Sequence, residues 1–252
     1  MADWYEGRIS TNGVSLHYHR TGGDKPPVVL LHGYTDNGLC WTQVAKSLEE
    51  DYDVIMFDAR GHGLSDGPRN GFSMELMADD AAGVIQALQL GKPRLVGHSM
   101  GAAVAAQVAA TYPDLVRSVV LEDPHWQDRQ RELKAKTREE RIATLRKEHP
   151  QWNEDVLAPM ADAKVQFNPA VLDFGLRFNP PWREVVPLIS CPMLLITGDP
   201  KLGGAVAPED VEEMEKVWQR GRVVRIDEVG HMIHFDQYDP FITTVKMFFK
   251  EV

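Results

Sequence analysis

The chain has 252 residues, 43% hydrophobic and 25% charged, with a formal net charge of -10 at neutral pH. That length builds one sizeable core, and the scattered acidic residues with no basic face argue against a nucleic-acid partner. Met1-Ala2-Asp3-Trp4-Tyr5-Glu6 lacks the basic and apolar regions of a signal peptide, and no run of about 18 apolar residues exists to span a membrane. The two cysteines, Cys40 and Cys191, read as small buried apolar groups rather than a disulfide, so a cytoplasmic protein is expected.

Residues 4–10 and 14–20 read as a hairpin turning at Asn12-Gly13, with Val14, Leu16 and Tyr18 alternating against Ser15, His17 and His19. Pro27-Val28-Val29-Leu30-Leu31 is a continuous apolar run, as a strand covered on both faces requires. Residues 52–58 form another strand. Residues 73–90 form a helix with Ser73 as N-cap and Gly91 past its end. Strands follow at 94–98 and 116–122, with an alanine-rich helix between them. This alternation predicts an α/β protein with a mostly parallel, helix-covered sheet.

After Pro124 the pattern breaks. Residues 127–148 are charged and helical, and Trp126, Trp152, Phe167, Phe174, Phe178 and Trp182 follow at irregular spacing. Strand character returns at Pro192-Met193-Leu194-Leu195-Ile196-Thr197, followed by a helix at 209–219, a strand at 222–227 and a closing helix at 236–250. We therefore expect a core domain of residues 1–124 and 187–252, with a helical lid of residues 125–186 over the sheet edge. Its aromatics would be shared between the lid's own core and a pocket wall.

The chemistry is concentrated at Gly97-His98-Ser99-Met100-Gly101, a G-x-S-x-G between a strand and a helix. This is the arrangement of a nucleophile elbow: small residues permit the sharp turn, and the serine hydroxyl stands above the sheet at a helix N-terminus. A serine needs a base, and His231, in Gly230-His231-Met232-Ile233-His234-Phe235 after the last strand, is placed to supply one. His234 reads as its structural neighbour. For the oxyanion, backbone N–H groups of Met100 and of Tyr34 are the candidates. Gly33 allows the turn after Leu31, and His32 serves as a hydrogen-bonding brace.

Together with Phe57-Asp58-Ala59-Arg60-Gly61-His62-Gly63-Leu64-Ser65, these segments resemble, in order, the landmarks of the α/β-hydrolase superfamily with a cap domain. The resemblance covers almost the whole chain. It implies an eight-stranded sheet, a Ser-His-acid triad, and neither cofactor nor metal. It gives the Asp58–Ser65 stretch a structural role, so Asp58, His62 and Asp66 are not assigned to catalysis. The acid departs from the common pattern, because the third residue after Gly198 is Lys201. The resemblance offers a second position about 24 residues past the nucleophile, where Asp123 stands. Asp123 is preferred, Asp199 is the alternative, and Glu122 alternates away from the site.

The expected activity is hydrolysis of a small-molecule carboxylic ester or lactone, an acyl-homoserine lactone among the candidates. The alternatives are C–C bond hydrolysis of ring-cleavage products by the same triad and, from another class, a non-catalytic ligand receptor on the same fold. Haloalkane dehalogenases and epoxide hydrolases resemble the chain too, but use an aspartate where Ser99 stands.

Overall fold

The computed structural model describes residues 4–69, 71–126, 136–174 and 180–252. Strands β1 (Tyr5–Thr11) and β2 (Val14–Arg20) form the expected hairpin. It turns at Asn12 (φ 47°) and Gly13 (φ 74°), the two successive left-handed residues that a two-residue hairpin turn demands and that Asn-Gly tolerates. Strands β3 (Pro27–Leu31), β4 (Asp53–Phe57), β5 (Arg94–His98), β6 (Ser118–Glu122), β7 (Met193–Thr197) and β8 (Gly221–Arg225) complete the sheet. The order is β1-β2-β4-β3-β5-β6-β7-β8; β2 runs antiparallel to both its neighbours and all other pairs are parallel.

The helices are α1 (Thr42–Leu48), α2 (Met74–Ala87), α3 (Met100–Thr111), α4 (Arg138–Glu148), α5 (Glu154–Gln166), α6 (Val171–Phe174), α7 (Trp182–Val185), α8 (Pro208–Met214), α9 (Ile233–Asp236) and α10 (Tyr238–Glu251). Every residue of β4, β5, β6 and β7 is buried, because helices cover both faces. On one face Trp41, Val44 and Leu48 of α1 and its approach meet Phe241, Val245 and Phe249 of α10. On the other, α2 and the alanines of α3 pack with Trp182 and Val185 of α7. Alanine along α3 lets that helix lie close to the sheet, which fixes the height of its first turn above the strand ends.

Helices α4–α7 lie between β6 and β7. Thr137 and Glu140 close a reciprocal capping box that starts α4. Leu145, Trp152, Leu157 and Met160 form a small core of their own with Cys40, while Gln166 Oε1 accepts from Asn37 Nδ2 at 2.9 Å. Thus α4 and α5 sit over the loop after β3, whereas Phe167, Val171 and Trp182 belong to the main core. Phe178 and the first part of the expected 127–148 helix fall outside the described residues. Cys40 and Cys191 are buried and free, and burial pushes both thiols up, Cys191 to about 11. Among the described residues no helix is long and apolar enough to cross a membrane.

Candidate active site

The elbow follows from steric necessity. A Cβ on Gly97 would lie 2.2 Å from the Gly101 carbonyl oxygen, and one on Gly101 would lie 2.1 Å from that of Leu31, so only glycine fits either side of Ser99. Ser99 itself takes φ 54° and ψ -114°, and its N–H donates to the Glu122 carbonyl at 3.0 Å. Asp123, the residue after β6, also has a positive φ, 40°, and its N–H donates to the Ile196 carbonyl at 2.8 Å. These two turns on adjacent strands bring both side chains to the C-terminal edge of the sheet.

His231 joins them. Its Nε2 lies 2.9 Å from Ser99 Oγ and its Nδ1 lies 2.6 Å from Asp123 Oδ2. Asp123 is fully buried, and its Oδ2 also accepts the Ala205 N–H at 2.7 Å. A carboxylate in this position holds the imidazole with Nδ1–H toward the acid and the Nε2 lone pair toward the serine.

Asp199 is not brought to the histidine. Gly198 is pressed against the Gly230 backbone, and the chain then turns tightly through Pro200–Leu202. Within that turn Asp199 Oδ1 accepts the Lys201 N–H, and Oδ2 lies 3.0 Å from Arg225 Nη2. The 198–205 loop therefore reaches the site with a backbone N–H, that of Ala205, and not with a carboxylate.

Met100 opens α3, whose first N–H groups have no partner within the helix. Tyr34 lines the cleft above Ser99, while its ring packs edge-on against His62 and Phe167. His32 braces this loop: its Nε2 accepts the Ala59 N–H at 2.9 Å, so its Nδ1 carries the proton given to the Gly33 carbonyl at 2.8 Å. Asp58 is saturated by the N–H groups of Gly38 and Leu64 and by His17, and Arg60 forms a fully buried pair with Asp80. Both residues hold loops, and neither lines the cleft at Ser99.

The cleft holds about 480 Å³ of empty space, part of it open to solvent, and is lined by Ser99, His231, His98, His125, Tyr34 and Lys164 among others. Lys164, on α5, was not singled out in the sequence, because one lysine on a mixed-charge helix carries no local signal. Its Nζ lies 3.3 Å from Asp36 Oδ1 and 3.4 Å from Thr35 Oγ1. Burial pushes the Asp36 carboxyl up, but Lys164, with His98 and His32, outweighs burial and holds it below its ordinary value. His98 donates Nε2–H to the His231 carbonyl at 3.0 Å, and burial pushes its pKa down to about 4. It is thus a neutral ring supporting the backbone of His231.

Behind the cleft lies a second carboxylate–histidine pair. Both Glu122 oxygens lie within 2.9 Å of His234 Nδ1, and Oε1 also accepts the His234 N–H at 2.8 Å. The ring of Trp41 stacks on His234 with centroids 4.2 Å apart. Burial raises Glu122 to about 7 and lowers His234 to about 3.

Residues 26–158 match the family model described as the alpha/beta hydrolase fold, just over half of the chain. The chain belongs to this family. It is 30% identical over 250 residues to N-formylmaleamate deformylase of Pseudomonas putida, spanning 93% of this chain and 92% of that one. It is 41% identical over 116 residues to 2-(acetamidomethylene)succinate hydrolase of Mesorhizobium japonicum, covering 46% of this chain and 41% of the other. Among solved structures, the enol-lactonase from Burkholderia xenovorans superposes with a TM-score of 0.79 at 23% identity, over 97% of this chain and all of that one, a likeness of fold.

Proposed function

We propose that the chain is a serine hydrolase of small carboxylic esters or lactones, with Ser99 as nucleophile, His231 as general base and acid, and Asp123 as the orienting acid. The observation that carries this reading is the continuous Asp123–His231–Ser99 hydrogen-bond chain opening into a cleft. In the first half-reaction, Ser99 Oγ attacks the acyl carbonyl as His231 Nε2 takes its proton. The N–H groups of Met100 and Tyr34 receive the developing oxyanion. His231 then passes the proton to the leaving alkoxide, which departs and leaves the acyl group on Ser99. A water deprotonated by His231 attacks this ester, and Ser99 regains its proton as the acid is released. In this reading residues 125–186 act as a lid, with α5 bringing Lys164 into the cleft wall.

A cleft of this size lined by imidazoles and an ammonium suits a compact polar acyl compound better than a long acyl chain. The same machinery cleaves an N-acyl bond when His231 protonates the nitrogen, and the likeness to a deformylase along 93% of the chain favours that as the second reading. The test is turnover of short p-nitrophenyl esters, unsubstituted and N-acyl lactones, N-formyl enamides and a ring-cleavage dienoate, each with Ser99→Ala alongside. Esters or lactones turned over by the wild type and not by the variant uphold the first reading. Turnover of the formyl enamide alone upholds the second, and the dienoate alone would point to C–C cleavage. Equal turnover by both proteins would remove Ser99 from the mechanism, and binding without turnover would make the chain a receptor.

A further inference from the structure

Far from the triad, the hairpin carries an unassigned donor set. His17 and His19 are two apart on β2 and share one face of the sheet. Glu6 on β1 stands opposite His19 in the antiparallel register. One ligand atom from each of the three lies within 4.8 Å of the others, and His17 Nε2 is 2.9 Å from Glu6 Oε1. The two imidazoles meet edge to face with centroids 4.8 Å apart. On its far side His17 Nδ1 faces the buried Asp58 Oδ2 at 2.9 Å.

We propose that Glu6, His17 and His19 form a binding site for a divalent transition-metal ion of the zinc type, with Asp58 orienting His17. The donor chemistry selects the ion: two imidazole nitrogens and one carboxylate suit zinc, nickel or cobalt and not magnesium or calcium, which take oxygen ligands. The carboxylate behind His17 fixes the proton on Nδ1 and leaves Nε2 to coordinate, the outer arrangement that metal-bound histidines use. With no ion, a proton must lie between Nε2 and Glu6 Oε1; the metal takes its place.

Charge and access agree with this assignment. Glu6 and Asp58 offer two negative charges to a dication. The arginines of these strands are turned elsewhere, Arg8 to Ser15 and Leu64 and Arg20 to Asp53. Glu6 is exposed, so the ion enters from solvent without opening the core. Metal bonds of ~2.1 Å in a tetrahedron require donors ~3.3 Å apart, which rotation of the Glu6 and His19 side chains supplies while His17 stays in place. Three protein ligands leave a fourth position for water. The ion would tie β1, the edge strand, to β2 and to the turn at Asp58.

The experiment is calorimetric titration of the tag-free full chain with zinc chloride, paired with thermal unfolding and the absorption spectrum of the cobalt form. One ion per chain with a rise in Tm, four-coordinate cobalt bands, and a loss of about tenfold or more in affinity for both His19→Ala and Glu6→Gln are expected. These two variants are chosen because Glu6 is exposed and His19 only half-buried, whereas buried His17 also supports the fold. His231→Ala must leave the binding unchanged, since the imidazoles of the cleft are the competing donors. No binding at about 100 µM zinc, or wild-type binding by His19→Ala and Glu6→Gln, would overturn the assignment.

Discussion

Asp123–His231 and Glu122–His234 are the same chemical pair built twice, from consecutive carboxylates at the end of β6 and histidines three apart before and within α9. Because successive side chains on a strand point to opposite faces, one pair reaches the cleft and the other is sealed behind it. The His231 side chain is 24% exposed; that of His234 is 4% exposed and lies under Trp41. The open pair keeps its imidazole beside a serine and near water, where a proton can come and go. The sealed pair is buried away from solvent, and that burial drives its carboxyl up and its imidazole down. Solvent access, not residue identity, separates the dyad proposed to react from the one that pins the turn carrying it.

The largest test of this comparison removes members of the open pair. Ser99→Ala or His231→Ala should lower kcat on a hydrolysed ester by about 10⁴- to 10⁶-fold, read by single-turnover kinetics. Asp123→Asn should cost roughly 10⁴-fold by favouring the wrong tautomer, while Asp199→Asn changes kcat by less than about twofold. A collapse at Asp199 with Asp123→Asn intact would reverse the assignment of the acid.

Smaller effects belong to the sealed pair and appear as stability. Glu122 has a raised pKa in the fold, so its contribution is present below its ordinary value of 4.5 and is lost as pH rises through about 7. Glu122→Gln should therefore gain stability relative to the wild type at pH 8 and show little of that gain at pH 4, by denaturant titration. His98 and His234 have lowered values, so their contribution is present above 6.5 and is lost as pH falls toward about 4 and 3. Glu122→Gln/His234→Phe should thus lose less stability than Glu122→Gln alone between pH 6.5 and 4, because only the single variant still carries the His234 contribution. In kcat, Glu122→Gln should stay within about tenfold of the wild type, because the amide oxygen still accepts from His234. A loss as large as that of Asp123→Asn would make the two pairs equivalent and end the distinction.

What could be read from the residues depended on whether the constraint was local. Gly97, Ser99 and Gly101 are dictated by a turn that only glycine permits, and Asn12-Gly13 by a turn with two positive φ values, so both were legible in the chain. The pattern of apolar runs likewise reported the buried strands β3 to β7. The choice between Asp123 and Asp199 rests on how the loop after Gly198 rotates, which no short spacing encodes. The link between Glu122 and His234, 112 residues apart, and the presence of Lys164 in the wall of the Ser99 cleft arise from packing between distant elements. Alternation along β6 turns Glu122 away from Ser99, but its partner His234 lies beyond what alternation along one strand can tell. The aromatics after Pro124 were divided by tertiary packing: Trp152 joined the small α4–α5 core, and Phe167 and Trp182 joined the main one.

Ser99 and Asp123 both hold backbone conformations that side chains resist, at φ 54° and 40°. Each such residue costs the folded state about 1–3 kcal/mol. Under the proposed mechanism, turnover is what these two strained residues serve. A lineage that kept the fold and abandoned the reaction would gain stability by drifting to glycine or asparagine at these two positions. Glycine or asparagine at 99 and 123 in a related chain would therefore mark a member of the fold that has given up the proposed chemistry.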